Sequence, residues 1–134
     1  MQAILEKLVV ETDILATKGI GCVAINPNDY ISFPEDSYEN MVQTAKKFGF
    51  SFPYLLDETQ EIAKKYDSIC TPDFFGYNKN TELQYRGRIR ELNNLKPVRK
   101  GDSDLRIAMK QIATSGMGPK KQIPSMGCNI KWLK

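Results

Sequence analysis

Hydrophobic residues follow helical spacing at the start of the chain. Between residues 2 and 18 they fall mostly three or four positions apart, at Ile4, Leu5, Leu8, Val9, Leu15 and Ala16. This spacing predicts an amphipathic helix, and Gly19 is a suitable stop. The run from Gly21 to Ile25 is apolar without alternation, which predicts a strand covered on both faces. Phe52 to Leu56 is a second short apolar segment, predicted to be a strand.

Two further helices are predicted in the first half of the chain. One begins near Asp36 and runs to Phe48. Asp57 and Gln60 stand three residues apart at the start of DETQEIAKKY, as in a capping box. Residues 57–66 are therefore predicted to form a third helix.

The second half predicts a β-hairpin and a last helix. Residues 74–78 and 83–89 are two runs joined by turn-forming residues. Asp102 or Ser103 can cap a helix that closes at Gly116. The element order is then α-β-α-β-α-β-β-α, which indicates an α/β fold built in layers.

The composition limits the chemistry. The chain has 134 residues, which suits one domain, and no histidine. The absence of histidine excludes Ser-His-Asp and Cys-His catalysis and histidine-ligated metal sites. Three cysteines, Cys22, Cys70 and Cys128, are too few for a four-thiolate zinc site. Because their number is odd, they do not form a complete disulfide framework. We expect no metal and no cofactor, and thiol chemistry is the obvious candidate.

The hydrophobic runs and the charge distribution indicate where the protein is found and what it binds. No apolar run approaches the roughly 20 residues of a membrane span, and the first residues lack a signal-peptide profile. We therefore expect a cytoplasmic protein that does not bind membranes. Residues 1–85 carry 7 basic and 13 acidic side chains, whereas residues 86–134 carry 12 and 3. Attraction between the two halves explains this split better than nucleic-acid binding does.

A basic cluster keeps the nucleic-acid alternative open. The alternating arginines of the second hairpin strand share one face, and further basic residues follow them. An acid-paired or solvated face is the favoured interpretation. The cluster consists of Arg86, Arg88, Arg90, Lys96, Arg99 and Lys100.

The segment ICTPDFF, residues 69–75, is the first candidate site. Pro72 cannot donate to a sheet ladder, so it suits the first position of a strand. An X-Pro bond at such a junction can be cis and leave the preceding backbone groups open to a peptide or a sulfur. Because only about 5–6% of X-Pro bonds are cis, spacing alone does not establish this.

Four segments together resemble a known family. They are FPYLLDETQEIAKKY, CTPDFFGYN, LQYRGRI and PSMGCNIKW. They resemble the thioredoxin-like redoxins of the alkyl hydroperoxide reductase and thiol-specific antioxidant family, and more narrowly a peroxiredoxin-like branch. The resemblance extends over nearly the whole chain. It implies a thioredoxin-like three-layer α/β/α sandwich and a cis bond between Thr71 and Pro72 beside a redox centre.

The resemblance also implies that part of the family pattern is missing. Family members carry further strands before the first helix, and a reactive cysteine at its N-terminus, where the helix dipole favours the thiolate. Residues 1–21 contain no cysteine. The missing strand would be central, between the strands that match Gly21–Ile25 and Asp73–Asn78. We therefore expect an N-terminally truncated domain, explained by an incomplete product, a strand from a partner, or direct closure of the two edges.

The cysteines are assigned different roles. Cys22 is predicted to be a buried small hydrophobe. Cys70 is the best candidate for the participating thiol, with Thr71 and Pro72 shaping the site, although a structural role for Cys70 is equally well supported. Cys128 lies in a lysine-containing tail and is predicted to resolve the product and to form a reversible disulfide with Cys70.

The sequence therefore predicts one thioredoxin-like domain over residues 1–116 and a tail, residues 117–134, that packs back on it. The leading function is thiol–disulfide or peroxide redox chemistry of the peroxiredoxin–thioredoxin type. Its reaction partner would be a protein thiol or disulfide, or a peroxide. The alternative is a redox-inactive binding or assembly module that keeps the fold, and an exposed sheet edge would permit a homodimer.

Overall fold

Four α-helices and eight short strands lie within the part of the chain that the computed structural model describes, residues 2–93, 96–97 and 101–134. The helices are α1 (Gln2–Ala16), α2 (Tyr38–Phe48), α3 (Glu61–Lys65) and α4 (Asp104–Ser115). The strands are β1 (Ala24–Asn26), β2 (Tyr54–Leu56), β3 (Cys70–Thr71), β4 (Phe74–Tyr77), β5 (Leu83–Gly87), β6 (Leu92–Asn93), β7 (Lys96–Pro97) and β8 (Cys128–Asn129). No helix among these residues has the length and apolar character needed to span a bilayer.

The strands pair two by two. β1 runs parallel to β2, with Ile25 opposite Leu55, and β4 runs antiparallel to β5, with Phe75 opposite Arg86. β3 pairs with β8 and β6 with β7, both antiparallel. Within the described residues no ladder joins β1 to β4. The α/β class is confirmed, whereas direct closure of these two edges, one of the three explanations offered for a missing strand, does not occur.

The helix ends show which capping predictions hold. Ser103 caps α4 as predicted, because its Oγ accepts the backbone N–H of Arg106 at 3.1 Å. α2 is predicted to begin near Asp36, but it begins two residues later, at Tyr38. Ser37 is the cap and accepts the N–H of Asn40 at 3.3 Å, while Asp36 belongs to a preceding 3-10 turn.

The third helix is shorter than the predicted residues 57–66. The buried carboxylate of Asp57 accepts hydrogen bonds from the N–H groups of Ile62 (3.3 Å) and Ala63 (2.8 Å). Asp57 therefore provides an acceptor for two backbone donors in the first turn of α3. Gln60 does not complete the predicted capping box. It stands before the helix at φ +66°, and its side chain is turned to the C-terminal tail.

The main core lies between α1, α4 and the β4–β5 hairpin. It consists of Leu15, Tyr85, Ile89, Leu105, Ala108, Met109 and Ile112. Gly76 lets α4 approach β4 closely, because a Cβ there would meet Met109 Sδ at 2.4 Å. A buried ion pair between Glu11 and Arg106 joins α1 to α4 beside this core.

The arginines predicted to share a basic face are engaged within the chain. Arg86 pairs with Asp73 at 3.4 Å, and Arg88 pairs with Asp104 at 2.7 Å. Arg90 donates to a backbone carbonyl at 2.8 Å. These contacts support the acid-paired interpretation over a nucleic-acid face. The other members of the cluster lie outside the residues whose side chains the structure describes: Lys96, Arg99 and Lys100.

Residues 117–134 lie along the hairpin and then across β3. The backbone N–H groups of Arg86 and Arg88 donate to Gln122 Oε1 and to the carbonyl of Ile123, each at 2.9 Å. Further along, Ile130 is buried with 4% of its surface exposed. The tail therefore covers the outer edge of β5.

Candidate functional site

The two most specific motif segments meet in one ladder. In the pairing of β3 with β8, Cys70 lies opposite Asn129 and Thr71 opposite Cys128. The N–H of Ile130 donates to the carbonyl of Ile69 at 3.2 Å and extends the contact. The Thr71-Pro72 bond is cis, as the resemblance implies. Residues far apart in the sequence thus form one site.

A glycine allows this close approach. A Cβ at Gly127 would lie 2.2 Å from the carbonyl oxygen of Thr71 and 3.1 Å from the nitrogen of Pro72. Both neighbours are backbone atoms, which cannot turn aside as a side chain can. The pairing of β3 with β8 therefore requires a residue without a side chain at this position.

Cys70 has the surroundings of a protonated thiol. It is 9% exposed, and its Sγ lies 3.9 Å from the carbonyl oxygens of Pro72 and Ser125. Burial raises the pKa of Cys70 above the ordinary thiol value, and the nearby Asp73 carboxylate raises it further, while Arg86 partly opposes the change. Because the thiolate is the nucleophile, this environment disfavours Cys70 as the participating thiol.

The other two cysteines are more accessible. Cys128 is exposed and Cys22 is half-buried, and all three thiols are free. Cys22 is thus less buried than predicted, although burial still raises its pKa. Among the three, Cys128 has the surroundings best suited to reaction with an external molecule.

The register argues against the predicted disulfide between Cys70 and Cys128. Directly opposite residues of an antiparallel pair share a face, and successive residues of a strand alternate between faces. Cys70 therefore shares a face with Asn129, and Cys128 shares the other face with Thr71. A disulfide requires the Cβ atoms to point towards each other, so this ladder would have to open first.

Thiol alkylation tests these environments. We expect native Cys128 to react with iodoacetamide at least about tenfold faster than Cys70 at pH 7.5, because Cys70 is both covered and mostly protonated. The labelling rate of Cys70 should continue to rise with pH beyond the ordinary thiol range, where the rate of an unperturbed thiol levels off, since its pKa is raised. Peptide mass spectrometry over time gives the rates, with urea-unfolded chain as the control. Faster labelling of Cys70 than of Cys128 at pH 7.5 contradicts the assignment.

Gln60 fixes the tail beside this ladder. It is 2% exposed, and its Nε2 donates to the carbonyls of Pro27 (2.8 Å) and Lys131 (2.9 Å). Its Oε1 accepts the N–H of Leu133 at 2.9 Å. Sequence reasoning assigned Gln60 to a helix cap and missed this role, because nothing local in DETQE indicates a partner in the tail.

A cleft of about 1270 Å³ lies next to the ladder, and Cys70, Thr71 and Pro72 line it. Other lining residues come from α1, β1, β4, α4 and the end of α3. The two faces of β4 are contacted from different parts of the chain. Met109 of α4 packs at Gly76, whereas Tyr66, after α3, packs edge-on against Phe75 with ring centroids 5.2 Å apart.

The side chains of the described residues do not include a group suited to a metal ion. No three or more His, Cys, Asp or Glu side chains come together there.

Two bacterial proteins of known structure resemble this chain. A hypothetical protein from Sinorhizobium meliloti is 38% identical, with a TM-score of 0.87 over 97% of this chain and 71% of its own. An uncharacterized conserved protein from Geobacillus kaustophilus is 40% identical, with a TM-score of 0.89 over 97% of this chain and 69% of its own. No family model and no curated protein matches the chain. The identity and coverage show that the chain belongs to the same protein family as these two bacterial proteins.

Proposed function

We propose that this protein is a thioredoxin-like redox protein of the peroxiredoxin–thioredoxin type, and that its thiol chemistry takes place at the β3–β8 ladder. One observation carries the proposal: CTPDFF and PSMGCNIKW, the most specific segments of the redoxin resemblance, lie side by side there. The thiol of Cys128, in the second segment, is exposed to solvent. The three-layer thioredoxin-like arrangement is part of the proposal. The contact of Met109 of α4 with one face of β4, and of Tyr66, the residue after α3, with the other face, supports it.

The accessible thiol is the one that exchanges. Cys128 takes the role of nucleophile, and Thr71 and Pro72 form the adjoining wall on which a substrate lies. Cys70 supports this wall from its buried position, since its raised pKa keeps it protonated at neutral pH. This assignment differs from the predicted roles, because Cys128 replaces Cys70 as the participating thiol and Cys70 does not become the resolving thiol.

The reaction balances with two external reactants. With a disulfide substrate, the Cys128 thiolate attacks one sulfur, the substrate S–S bond breaks, and the second substrate sulfur leaves as a thiolate. With a peroxide, attack on one oxygen yields Cys128 sulfenic acid and releases water or an alcohol. After reaction with a disulfide, a reductant thiol attacks the substrate sulfur of the mixed disulfide, and Cys128 leaves as the thiolate. After reaction with a peroxide, one reductant thiol condenses with the sulfenic acid and releases water, and a second thiol attacks the attached sulfur and frees Cys128. We assign this cycle to the cytoplasm, where such thiols are kept reduced.

A turnover assay with matched cysteine variants tests the proposal. We expect the reduced chain to catalyse reduction of a peroxide or a model disulfide with a small dithiol as reductant. Cys128→Ser should lower kcat/KM at least about tenfold, because it removes the nucleophile. Cys22→Ser is the matched control and should leave the rate unchanged. A wild-type rate no higher than that of the buffer, or full activity in Cys128→Ser, rejects the assignment.

The alternative is a redox-inactive binding or assembly module. Two observations favour it: burial raises the pKa of both Cys22 and Cys70, and the cleft is open to solvent, with polar as well as apolar lining residues. The same assay separates the two functions. If the wild-type chain is folded but shows no turnover, the result favours the binding or assembly module.

A further inference from the structure

The register of the β3–β8 ladder determines which backbone groups of β8 are left free. Opposite residues of an antiparallel pair alternate between hydrogen-bonded and non-hydrogen-bonded pairs. The N–H of Ile130 donates to the carbonyl of Ile69 at 3.2 Å, so the next pair, Cys70 with Asn129, is non-hydrogen-bonded. The opposite alternation would need an N–H from Pro72, and proline has none. The N–H and C=O of Asn129 therefore face away from β3.

The outer edge of β8 is open to solvent. Among the described residues, β8 pairs only with β3, and residues 126–129 are all exposed. Asn129 therefore presents one backbone donor and one backbone acceptor at this edge. An unpaired strand edge is a template for another extended chain, and main-chain hydrogen bonds supply the affinity of such contacts. A polypeptide can use this edge, whereas a peroxide cannot.

The position of Cys128 on this edge matches the geometry of a disulfide bond. Its own N–H and C=O face β3, because Thr71 and Cys128 form the hydrogen-bonded pair. Towards a strand added outside β8, Cys128 is therefore in a non-hydrogen-bonded position, where opposite Cα atoms are about 4.5 Å apart and side chains share a face. A disulfide needs a Cα separation of about 4.4–6.8 Å. A cysteine opposite Cys128 in an added strand is thus within reach of exchange.

Exposed apolar side chains flank Cys128. Met126 is 93% exposed, and Ile69 is 68% exposed on the face that Thr71 shares with Cys128. Methionine side chains are flexible and adapt to different apolar partners, so they suit a surface that meets more than one sequence. These side chains add apolar contacts to the backbone groups of Asn129.

The charge of the tail determines the charge of its partner. Residues 117–134 contain four lysines and no acidic residue: Lys120, Lys121, Lys131 and Lys134. In the part of the chain that the structure describes, none of the four forms an ion pair, and all but Lys131 are exposed. Such charges attract an acidic segment over a screening length of about 10 Å at 0.1 M salt.

We propose that the outer edge of β8 is the docking surface for the substrate, an acidic, extended polypeptide that adds antiparallel to β8 with a disulfide-bonded cysteine opposite Cys128. The residue before that cysteine pairs with Asn129 through both of its backbone groups. The Cys128 thiolate attacks the opposite sulfur, a Cys128–substrate bond forms as the substrate S–S bond breaks, and the second substrate sulfur leaves as a thiolate. This proposal rests on the proposed redox function and narrows its substrate class.

A short reactive peptide tests the docking edge. The probe has about six residues, the usual length of a strand, rich in threonine and glutamate, with one central cysteine held as a mixed disulfide with thionitrobenzoate. When Cys128 attacks the peptide sulfur, thionitrobenzoate leaves and its absorbance gives the rate. Peptide mass spectrometry checks that the peptide is attached to Cys128. The reference is the same mixed disulfide of N-acetylcysteine amide, and we expect the probe to react at least about tenfold faster.

Methylation of single backbone nitrogens of the probe tests the register. The N–H of the residue before the cysteine points towards Asn129, whereas the N–H of the cysteine itself points away from β8. Methylating the first nitrogen should slow exchange at least about fivefold, and methylating the second should change it less than about twofold. Equal effects of the two methyl groups overturn the register.

Two substitutions at Asn129 test the same contact from the side of the protein. Asn129→Pro removes the outward N–H without removing a bond to β3, so it should lower the ratio of the probe rate to the reference rate at least about fivefold. Asn129→Ala keeps the N–H and should change this ratio less than about twofold. Equal ratios for the two variants contradict docking through the backbone of β8.

A charge-reversed probe tests the acidic class. Replacing its glutamates with lysines should lower the ratio of probe rate to reference rate at least about fivefold at low salt, and the difference should largely disappear at about 1 M salt. A ratio that does not depend on the charge of the probe overturns this part of the proposal.

The remaining outcomes separate this proposal from the redox function. If Cys128 exchanges with neither the probe nor the reference, the redox function fails and the docking proposal fails with it. If Cys128 reacts with the reference as fast as with the probe, the redox function stands and docking at β8 is rejected. A dimer that protects the Asn129 amide from hydrogen exchange and excludes the probe means that a second copy of this chain occupies the edge, which also overturns the proposal.

Discussion

Replacing Arg106 with alanine is expected to lower the free energy of unfolding by about 3 kcal/mol. Arg106 donates from Nε and Nη2 to the two carboxylate oxygens of Glu11, each at 2.9 Å, and this pair joins α4 to α1. Glu11 is only 3% exposed. Truncation leaves its carboxylate buried without its principal partner, which costs more than the pair itself contributes. Urea unfolding followed by circular dichroism gives the change.

A double variant is the control for this result. Replacing both members, Glu11→Leu with Arg106→Met, removes the buried charge together with its partner. It should therefore lose clearly less stability than Arg106→Ala alone. A loss below about 1 kcal/mol for Arg106→Ala would show that Glu11 is solvated in the folded state.

Gly127→Ala is expected to separate the tail from β3 and Pro72. The added methyl group would stand 2.2 Å from the carbonyl oxygen of Thr71, so one of the two backbones has to move. We expect a loss of about 2 kcal/mol in the free energy of unfolding. Alkylation of Cys70 should also become faster, because the tail that covers it is displaced. Chemical unfolding and timed alkylation measure the two effects.

Gly21→Ala is the matched control for this substitution. A Cβ at Gly21 meets nothing within 4 Å, and the residue does not have a positive φ. Its stability should stay the same or rise slightly, because alanine restricts the unfolded chain. If Gly127→Ala changes the free energy of unfolding no more than Gly21→Ala does, the result contradicts the close approach of β8 to β3.

The helices could be predicted from the sequence because their signals are local. The spacing of apolar residues in α1 and the Ser103 cap of α4 both act within one or two turns of chain. The cap of α2 is Ser37, and not Asp36, for an equally local reason. Pro34 opens a 3-10 turn, which places Asp36 before the cap instead of at it.

The β4–β5 hairpin was predicted from local signals, but the pairing of strands distant in sequence was beyond local reasoning. β3 and β8 have two residues each and no alternating pattern, so neither was predicted as a strand. Their pairing depends on a tail that returns from the far end of the chain and is fixed by Gln60 and Gly127. Nothing in the neighbourhood of either residue indicates this contact, because the partners are distant in sequence.

The structure brings the candidate residues together, but it buries Cys70, the thiol that was expected to participate. The resemblance placed Cys70, Thr71 and Pro72 at a redox centre, and the structure brings Cys128 to the same ladder. Which thiol is exposed depends on register, because a shift of one residue turns every side chain to the other face. The register alone puts Cys70 and Cys128 on opposite faces.

The assignment of Cys128 as the exchanging thiol is tested most directly by mapping a mixed disulfide. The reduced chain is mixed with less than one equivalent of glutathione disulfide, quenched with acid, and analysed by peptide mass spectrometry. We predict that glutathione is attached to Cys128, with Cys22 and Cys70 still reduced. Glutathione on Cys70 or Cys22 while Cys128 stays free would contradict the account.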